Sequence, residues 1–77
     1  MKTTITKQYS IGEIRIGTSS WSETDQSVKW AYPDRRGRIS LRSPEVPIDV
    51  LVEMLIFAFE QGLIDENSVR RIKKLFI

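Results

Sequence analysis

Apolar residues in the first half of the chain alternate with polar ones, as they do in β-strands. Ile5 and Tyr9 occupy odd positions, whereas Ile14 and Ile16 occupy even positions after Gly12. Alternation with a period of two directs successive side chains to opposite faces of a sheet. A change of phase at a glycine indicates a bulge or a turn. The pattern therefore predicts β-structure on both sides of Gly12, interrupted by a bulge or a turn.

A β-hairpin is the next predicted unit. Residues 17–27 are polar apart from Trp21 and predict a loop or a strand extension. Two alternating segments follow, and they flank the turn sequence PDRRG at residues 33–37. Proline pre-sets the φ angle of a turn, and glycine accepts the positive φ that closes it. The hairpin is expected to direct one set of side chains to the core: Val28, Trp30, Tyr32, Ile39 and Leu41.

The second half of the chain has helical spacing. A first helix is predicted from near Pro47, a residue suited to a first helical turn, to about Gln61. Gly62 is a natural left-handed stop for this helix. A second helix is predicted for residues 66–76, with Asp65 as its N-cap. Two prolines near the boundary separate the strands from the helices.

Together these elements predict an α+β fold in a single small domain, residues 1–77. Its first part, residues 1–43, is a three- or four-stranded antiparallel β-meander, and its second part, residues 44–77, is a helical hairpin packed on one face of the sheet. Seventy-seven residues are enough for one domain at most. A chain this short buries a modest core, so a partner subunit is a common source of added stability.

The first helix is unusually apolar. At about 100° per residue, Asp49, Glu53 and Glu60 share a narrow arc, and nearly all other positions are apolar. Its apolar sector covers roughly two-thirds of the circumference, whereas a surface helix needs about one-third. Such a helix has to be covered on two sides, either within the monomer or by a second copy or another partner. The predicted oligomer interface consists of Val50, Met54 and Phe57.

Composition excludes several kinds of site. The chain has no cysteine and no histidine, so it forms no disulfide and lacks the usual zinc ligands. The common pairs of nucleophile and base are absent too, as is a glycine-rich phosphate loop. We therefore expect no cofactor, no metal site and no enzymatic activity. The first ten residues contain no apolar run of signal-peptide length, and residues 50–59 are too short to span a bilayer, which predicts a cytoplasmic protein without membrane insertion.

Charge is distributed in blocks along the chain. The net charge of +2 divides into +4 for residues 28–44, −6 for residues 45–66 and +4 for residues 67–77. Arginine suits phosphate or carboxylate recognition. If the strands share a sheet, its outer face and turn carry the predicted site for an acidic partner or a polyanion: Arg15, Lys29, Arg35, Arg36, Arg38 and Arg42. The alternative is that these bases only keep the sheet soluble and prevent edge pairing.

Two further features have open interpretations. The basic residues of the second helix form either a solvated face, which can pair with the acids of the first helix, or a binding cluster: Arg70, Arg71, Lys73 and Lys74. Trp21 is a candidate aromatic anchor for a partner, unless it folds back over the edge of the core.

The order of strand RISLR, a proline, one helix, a glycine and a second helix resembles the ribbon-helix-helix layout of small DNA-binding dimers. The resemblance covers residues 38–77 and implies that Arg38, Ser40 and Arg42 read bases. Two departures separate the chain from that family. Residues 28–32 offer the strand a partner in the same chain, and the first helix is far more apolar.

Two functions follow from the sequence. The first is a small non-catalytic protein-binding module, such as a regulator, an inhibitor or an assembly subunit, with a homodimer as one form of it. Its binding elements are the arginine-rich hairpin and the apolar helix. The alternative is a nucleic-acid-binding protein that uses the basic hairpin, although the net charge is only +2 and the first helix is acidic.

Overall fold

A computed structural model describes residues 1–40 and 43–76, and it consists of an antiparallel sheet followed by two helices. The strands are β1 (Lys2–Tyr9), β2 (Gly12–Thr18), β3 (Gln26–Ala31) and β4 (Val46–Pro47). The helices are α1 (Ile48–Glu60) and α2 (Glu66–Lys73), and a 3₁₀ turn, Lys74–Phe76, continues α2. The four strands lie in the order β1-β2-β3-β4, so each pairs with its neighbour in sequence. The predicted α+β class, with a β-meander followed by two helices, is confirmed.

A two-residue turn at Ser10 and Ile11 joins β1 to β2. Ser10 has a φ of 51°, and Tyr9 stands opposite Gly12 in the register. A positive φ at the first central residue is a feature of the hairpin turns whose twist matches that of the strands. The predicted interruption at Gly12 is therefore this turn. A separate irregularity in β1, between Thr3 and Ile5, shifts the register by one residue.

The predicted second hairpin has an ordered turn, but up to residue 40, where the described part of its second segment ends, that segment forms no strand. Ile39 forms one isolated bridge with Pro33, and the Ser40 amide donates to the Tyr32 carbonyl oxygen at 2.8 Å. Because Pro33 has no N–H, it cannot extend the ladder on its side. β3 instead pairs with β4, in which Val46 lies opposite Val28. The sheet therefore continues beyond residue 43, and the predicted Leu41 lies outside the described residues.

Both helices begin as predicted and α1 also ends as predicted, whereas α2 ends at Lys73 and residues 74–76 form a 3₁₀ turn. α1 begins directly after Pro47, and Gly62, with a φ of 70°, follows its C-terminus. The Asp65 Oδ1 atom accepts a hydrogen bond from the Ser68 amide at 2.6 Å, as an N-cap does. This bond holds the pKa of the Asp65 carboxyl below its usual value. The capping prediction for α2 is confirmed.

The register places the large apolar side chains on one face of the sheet. Ile5, Ile16, Val28 and Val46 stand opposite one another across the four strands. We call this the apolar sheet face; it also carries Ile14, Trp30 and Tyr9, whose ring meets that of Trp30 edge to face with centroids 5.8 Å apart.

Val28, Trp30 and Tyr32 were predicted to form the buried core, and this prediction is wrong. These three side chains are only half-buried, and Ile39 is exposed. In the described part of the chain, Ala31 is the one fully buried apolar residue, and Ser27 beside it in β3 is equally buried. Both belong to the opposite face of the sheet, because they alternate with Val28 and Trp30. The large side chains stay partly accessible because, within the described residues, the helices approach the sheet only at β3 and β4.

Gly17 marks a close approach between β1 and β2. A Cβ atom at this position would collide with the carbonyl oxygen of Lys2, which is a backbone atom and cannot rotate away. We expect Gly17→Ala to lower the free energy of unfolding by about 1–3 kcal/mol, the usual cost of overpacking. Urea denaturation measures this change. Thr6→Val on the exposed surface of β1 is the control, expected to stay within about 0.5 kcal/mol of the native chain; equal stabilities would contradict the collision.

Glu45 ties the segment before β4 to the loop after β2. Its carboxylate accepts hydrogen bonds from the hydroxyl of Ser20 and, at 3.2 Å, from the Ser20 amide. The amino group of Met1 lies 3.0 Å from the same carboxylate. The Ser20 hydroxyl, followed by the amino group, holds the pKa of Glu45 below its usual value of 4.5.

This lowered pKa predicts a loss of stability in acid. A carboxylate with a depressed pKa stabilises the folded state above its unfolded pKa, and this contribution disappears as the pH falls through the folded pKa. We therefore expect the native chain to be more stable than Glu45→Gln at neutral pH and the two to converge at a pH well below 4.5. Denaturation midpoints across pH measure this, with Glu23→Gln in the loop after β2 as the control. A difference that is independent of pH would contradict the role of the charge.

Candidate binding surfaces

α1 is exposed around its whole circumference. None of its residues is buried, and nine large apolar side chains are between 38 and 63% accessible. Within the described residues, α1 approaches the sheet only at β3 and β4 and makes no close approach to α2. The sequence-based alternative in which the monomer itself encloses this helix is therefore wrong. It failed because the connection between the helices does not bring their apolar sides together.

The predicted oligomer interface includes the two most accessible apolar side chains of α1, Phe57 and Met54. Phe57 is 63% exposed, Met54 54% and Val50 43%. Their spacing of four and three residues places them on one stripe about 60° wide. The opposite side of the helix carries Leu51, Leu55 and Phe59, which are somewhat less accessible. We call Val50, Met54 and Phe57 the outward stripe.

The protomer exposes more surface than a folded monomer of its size. A monomeric protein of 8.9 kDa exposes about 4,800 Å². This chain exposes 6649 Å², about 1,800 Å² more than a monomer of that mass. Its radius of gyration is 14.1 Å, whereas a compact domain of this length has about 11.5 Å. The excess area has the size of one side of a large protein–protein interface.

Part of this excess lies on the apolar sheet face, which sequence reasoning did not mark as a site. Ile5 and Tyr9 are 64 and 60% exposed. An open groove of about 440 Å³ separates Lys7 on this face from Ile72 and Leu75 beyond it. The alternation of the strands contained the signal, because it placed these residues on one face, but it did not show that the face stays uncovered.

Acidic and basic residues of the two helices do not meet within the protomer. In the part of the chain that the structure describes, no base lies within salt-bridge distance of the acids on α1: Asp49, Glu53 and Glu60. We call these three the acidic stripe. The α2 bases have one such contact, from Arg70 to Glu66 at 3.8 Å, and both of its side chains are highly exposed. The predicted pairing between the helices is therefore absent from the protomer.

The turn of the second hairpin presents three arginines to solvent. The Asp34 Oδ1 atom accepts hydrogen bonds from the amides of Arg36 and Arg38, at 2.8 and 3.0 Å. The Asp34 amide donates to the Arg38 carbonyl oxygen at 2.6 Å, and Gly37 closes the turn with a φ of 78°. Among the described residues, the carboxylate of Asp34 forms no ion pair with the guanidinium groups of the turn. We call Arg35, Arg36 and Arg38 the basic tip.

The other predicted basic residues lie elsewhere. Arg15 and Lys29 stand opposite each other on β2 and β3, on the face opposite the apolar sheet face. The Arg15 Nε atom is 2.6 Å from the Glu13 carboxylate, which partly neutralises it. Arg38 belongs to the turn and not to a strand, which corrects the sequence-based placement, and Arg42 lies outside the described residues. Of the predicted basic residues, Arg15 and Lys29 thus lie on strands and the basic tip lies on a turn.

Trp21 lies in the loop after β2 and is 52% exposed. Its neighbour Ser20 is bound to Glu45, so the loop is held beside the segment that leads into β4 and α1. The ring is therefore accessible to a partner, and its role as an anchor stays a prediction.

The remaining chemistry of the chain is sparse. Across residues 1–40 and 43–76, no three acidic side chains come together at a site that a metal ion would fill. In the same part of the chain, neither helix has the length and apolar character that crossing a membrane requires. The accessible surfaces are therefore the outward stripe, the apolar sheet face and the basic tip.

No protein-family model, curated protein or solved structure is significantly similar to this chain.

Proposed function

We propose that this protein is a small non-catalytic binding module whose working form buries α1 in a protein–protein interface. The observation that carries this proposal is the exposure of nine large apolar side chains on one thirteen-residue helix. Monomeric proteins rarely expose a contiguous apolar patch of this kind, and such patches mark sites of association. A regulator, an inhibitor and an assembly subunit all act through an interface of this type.

The energetics of the protomer support the same proposal. Burial of a large apolar side chain stabilises a protein by about 1.5–3 kcal/mol, and only Ala31 is a fully buried apolar residue in the described part of this chain. Ordering the backbone costs about 1–2 kcal/mol for each residue. A fold with so little internal burial gains its missing stabilisation from a partner that covers α1.

A photo-reactive residue at position 57 tests this proposal. Benzoylphenylalanine in place of Phe57 keeps an aromatic ring in the outward stripe and reacts with any protein that covers it. In cells that naturally make the protein, irradiation is expected to give a covalent adduct of discrete mass. The same residue at position 23, in the exposed loop after β2, is the matched control and is expected to give none. Absence of an adduct from position 57 would overturn the proposal.

A second function, nucleic-acid binding, is supported by the basic tip alone. Its three guanidinium groups project from a rigid turn, and among the described residues no carboxylate lies within salt-bridge distance of them. Arginine in such a setting binds phosphate oxygens through two parallel hydrogen bonds. We rank this function second because the chain has a net charge of only +2. The cytoplasmic location expected from the sequence stays a prediction.

A further inference from the structure

We infer that the partner covering α1 is a second copy of this chain, and that the α2 bases of each copy pair with the acidic stripe of the other. This inference rests on the proposed function and names its partner. Three observations support it: the size of the exposed area, the separation of opposite charges within one protomer, and a groove on α2 that fits the edge of α1.

The exposed area agrees with an obligate dimer. Each chain has about 1,800 Å² more accessible surface than a monomer of its mass, so two copies that cover this excess would bury about 3,600 Å² in total. Obligate homodimers bury about 2,000–5,000 Å², and their interfaces are rich in apolar side chains. In a two-fold dimer the same patch serves both copies, and the outward stripe meets its counterpart at the centre.

Charge complementarity selects a second copy over an unrelated protein. The acidic stripe carries three negative charges, and α2 together with the 3₁₀ turn after it carries four positive ones: Arg70, Arg71, Lys73 and Lys74. Within one protomer the two helices do not approach each other. A second copy supplies the opposite charge to both groups at once, because each chain carries one acidic and one basic helix.

The surface of α2 has the shape and chemistry that the edge of α1 requires. Ile64 and Val69 are half-buried and form the apolar floor of an open groove of about 340 Å³, with Arg70 and Lys73 beside them. Glu66 is also part of the rim and lies 3.8 Å from Arg70. On α1, Val52 and Ile56 are next to the acidic stripe on the helical circumference and are exposed. The apolar edge of α1 therefore fits the floor of the groove while its acids reach the two bases.

A charge exchange between two variants tests this arrangement. Variant A carries Glu53→Lys and Glu60→Lys, and variant B carries Arg70→Glu and Lys73→Glu. Alone, each variant faces like charges across the interface, and we expect its dimer dissociation constant to rise by at least about tenfold. Mixed together, A and B restore opposite charges on both sides of the interface. We expect a heterodimer with an affinity within about threefold of the native dimer.

Multi-angle light scattering gives the masses, and distinct tags on the two variants identify the heterodimer. The native chain is expected at twice 8.9 kDa. A native monomer at high protein concentration, or two weakened variants that do not recover on mixing while their circular dichroism stays native, would overturn the inference. An adduct from position 57 with a different protein would then still support the proposed function, so the two failures are distinguishable.

Discussion

A chain that carries Met54→Glu and Phe57→Glu is expected to remain a single chain in solution at concentrations at which the native chain associates. Each of these apolar side chains contributes about 1.5–3 kcal/mol when it is buried, and a two-fold interface contains each of them twice. The variant also places carboxylates in an apolar contact, which adds a desolvation cost. We expect association to weaken by more than about a hundredfold. Sedimentation equilibrium of both chains measures the change.

Two controls separate the interface from general effects on folding. Met54→Leu with Phe57→Leu keeps the outward stripe apolar, and this pair is expected to associate like the native chain. Gln8→Glu with Thr24→Glu adds two negative charges at exposed positions away from α1, and this pair is expected to associate as well. If the charged α1 variant associates as tightly as these controls, the outward stripe lies outside the interface.

If the basic tip binds phosphates, replacing its three arginines with glutamine is expected to weaken DNA binding. The variant Arg35→Gln, Arg36→Gln and Arg38→Gln is expected to lose most of the affinity for mixed-sequence DNA that the native chain shows at low salt. For duplex DNA, each lost phosphate contact lowers the slope of log affinity against log salt by about 0.9. The stability of the chain is expected to change by less than about 0.5 kcal/mol, because the turn is closed by backbone and Asp34 bonds. Fluorescence anisotropy across salt concentrations and denaturation measure the two quantities.

A variant with the same loss of charge on α2 is the matched control for this prediction. Arg71→Gln, Lys73→Gln and Lys74→Gln also remove three positive charges, but from a helix and not from the turn. Equal losses in both variants would attribute the binding to net charge. No binding by the native chain even at low salt would remove nucleic acid from the functions of this protein, and the basic tip would then be a solvated turn or a contact for a carboxylate.

Local signals in the sequence predicted most of the elements of the fold. Proline and glycine positions predicted the boundaries of α1, and Asp65 predicted the start of α2, because caps and φ preferences act within one turn of the chain. The change of phase at Gly12 predicted a bulge or a turn, and the structure has a turn at Ser10 and Ile11. Pairing was harder to predict, since β3 bonds with Val46 and not with the nearer segment at Ile39. Pro33 lacks the N–H group that a ladder hydrogen bond requires, and a missing donor of this kind decides which of two distant segments pairs with a strand.

The sequence predicted some of the candidate surfaces better than others, for a related reason. The outward stripe followed from helical periodicity, which depends on the composition of one element. The basic surface required knowledge of how separate elements meet, because Arg15 and Lys29 lie on strands and the basic tip lies on a turn. The apolar sheet face was not recognised as a site, because alternation shows which residues share a face and not whether a second layer covers it.

The sequence by itself determined the class of β1, β2, β3, α1 and α2, the start of both helices, the end of α1, the apolar character of α1 and the separation of charge between the two helices. Only the tertiary structure decided that β4 is Val46–Pro47, that Ala31 and Ser27 are buried while Ile5 and Tyr9 are exposed, and that neither the sheet nor α2 covers α1. The physical reason is that propensity, capping and periodicity act between neighbouring residues, whereas burial depends on contacts between elements that are distant in the chain.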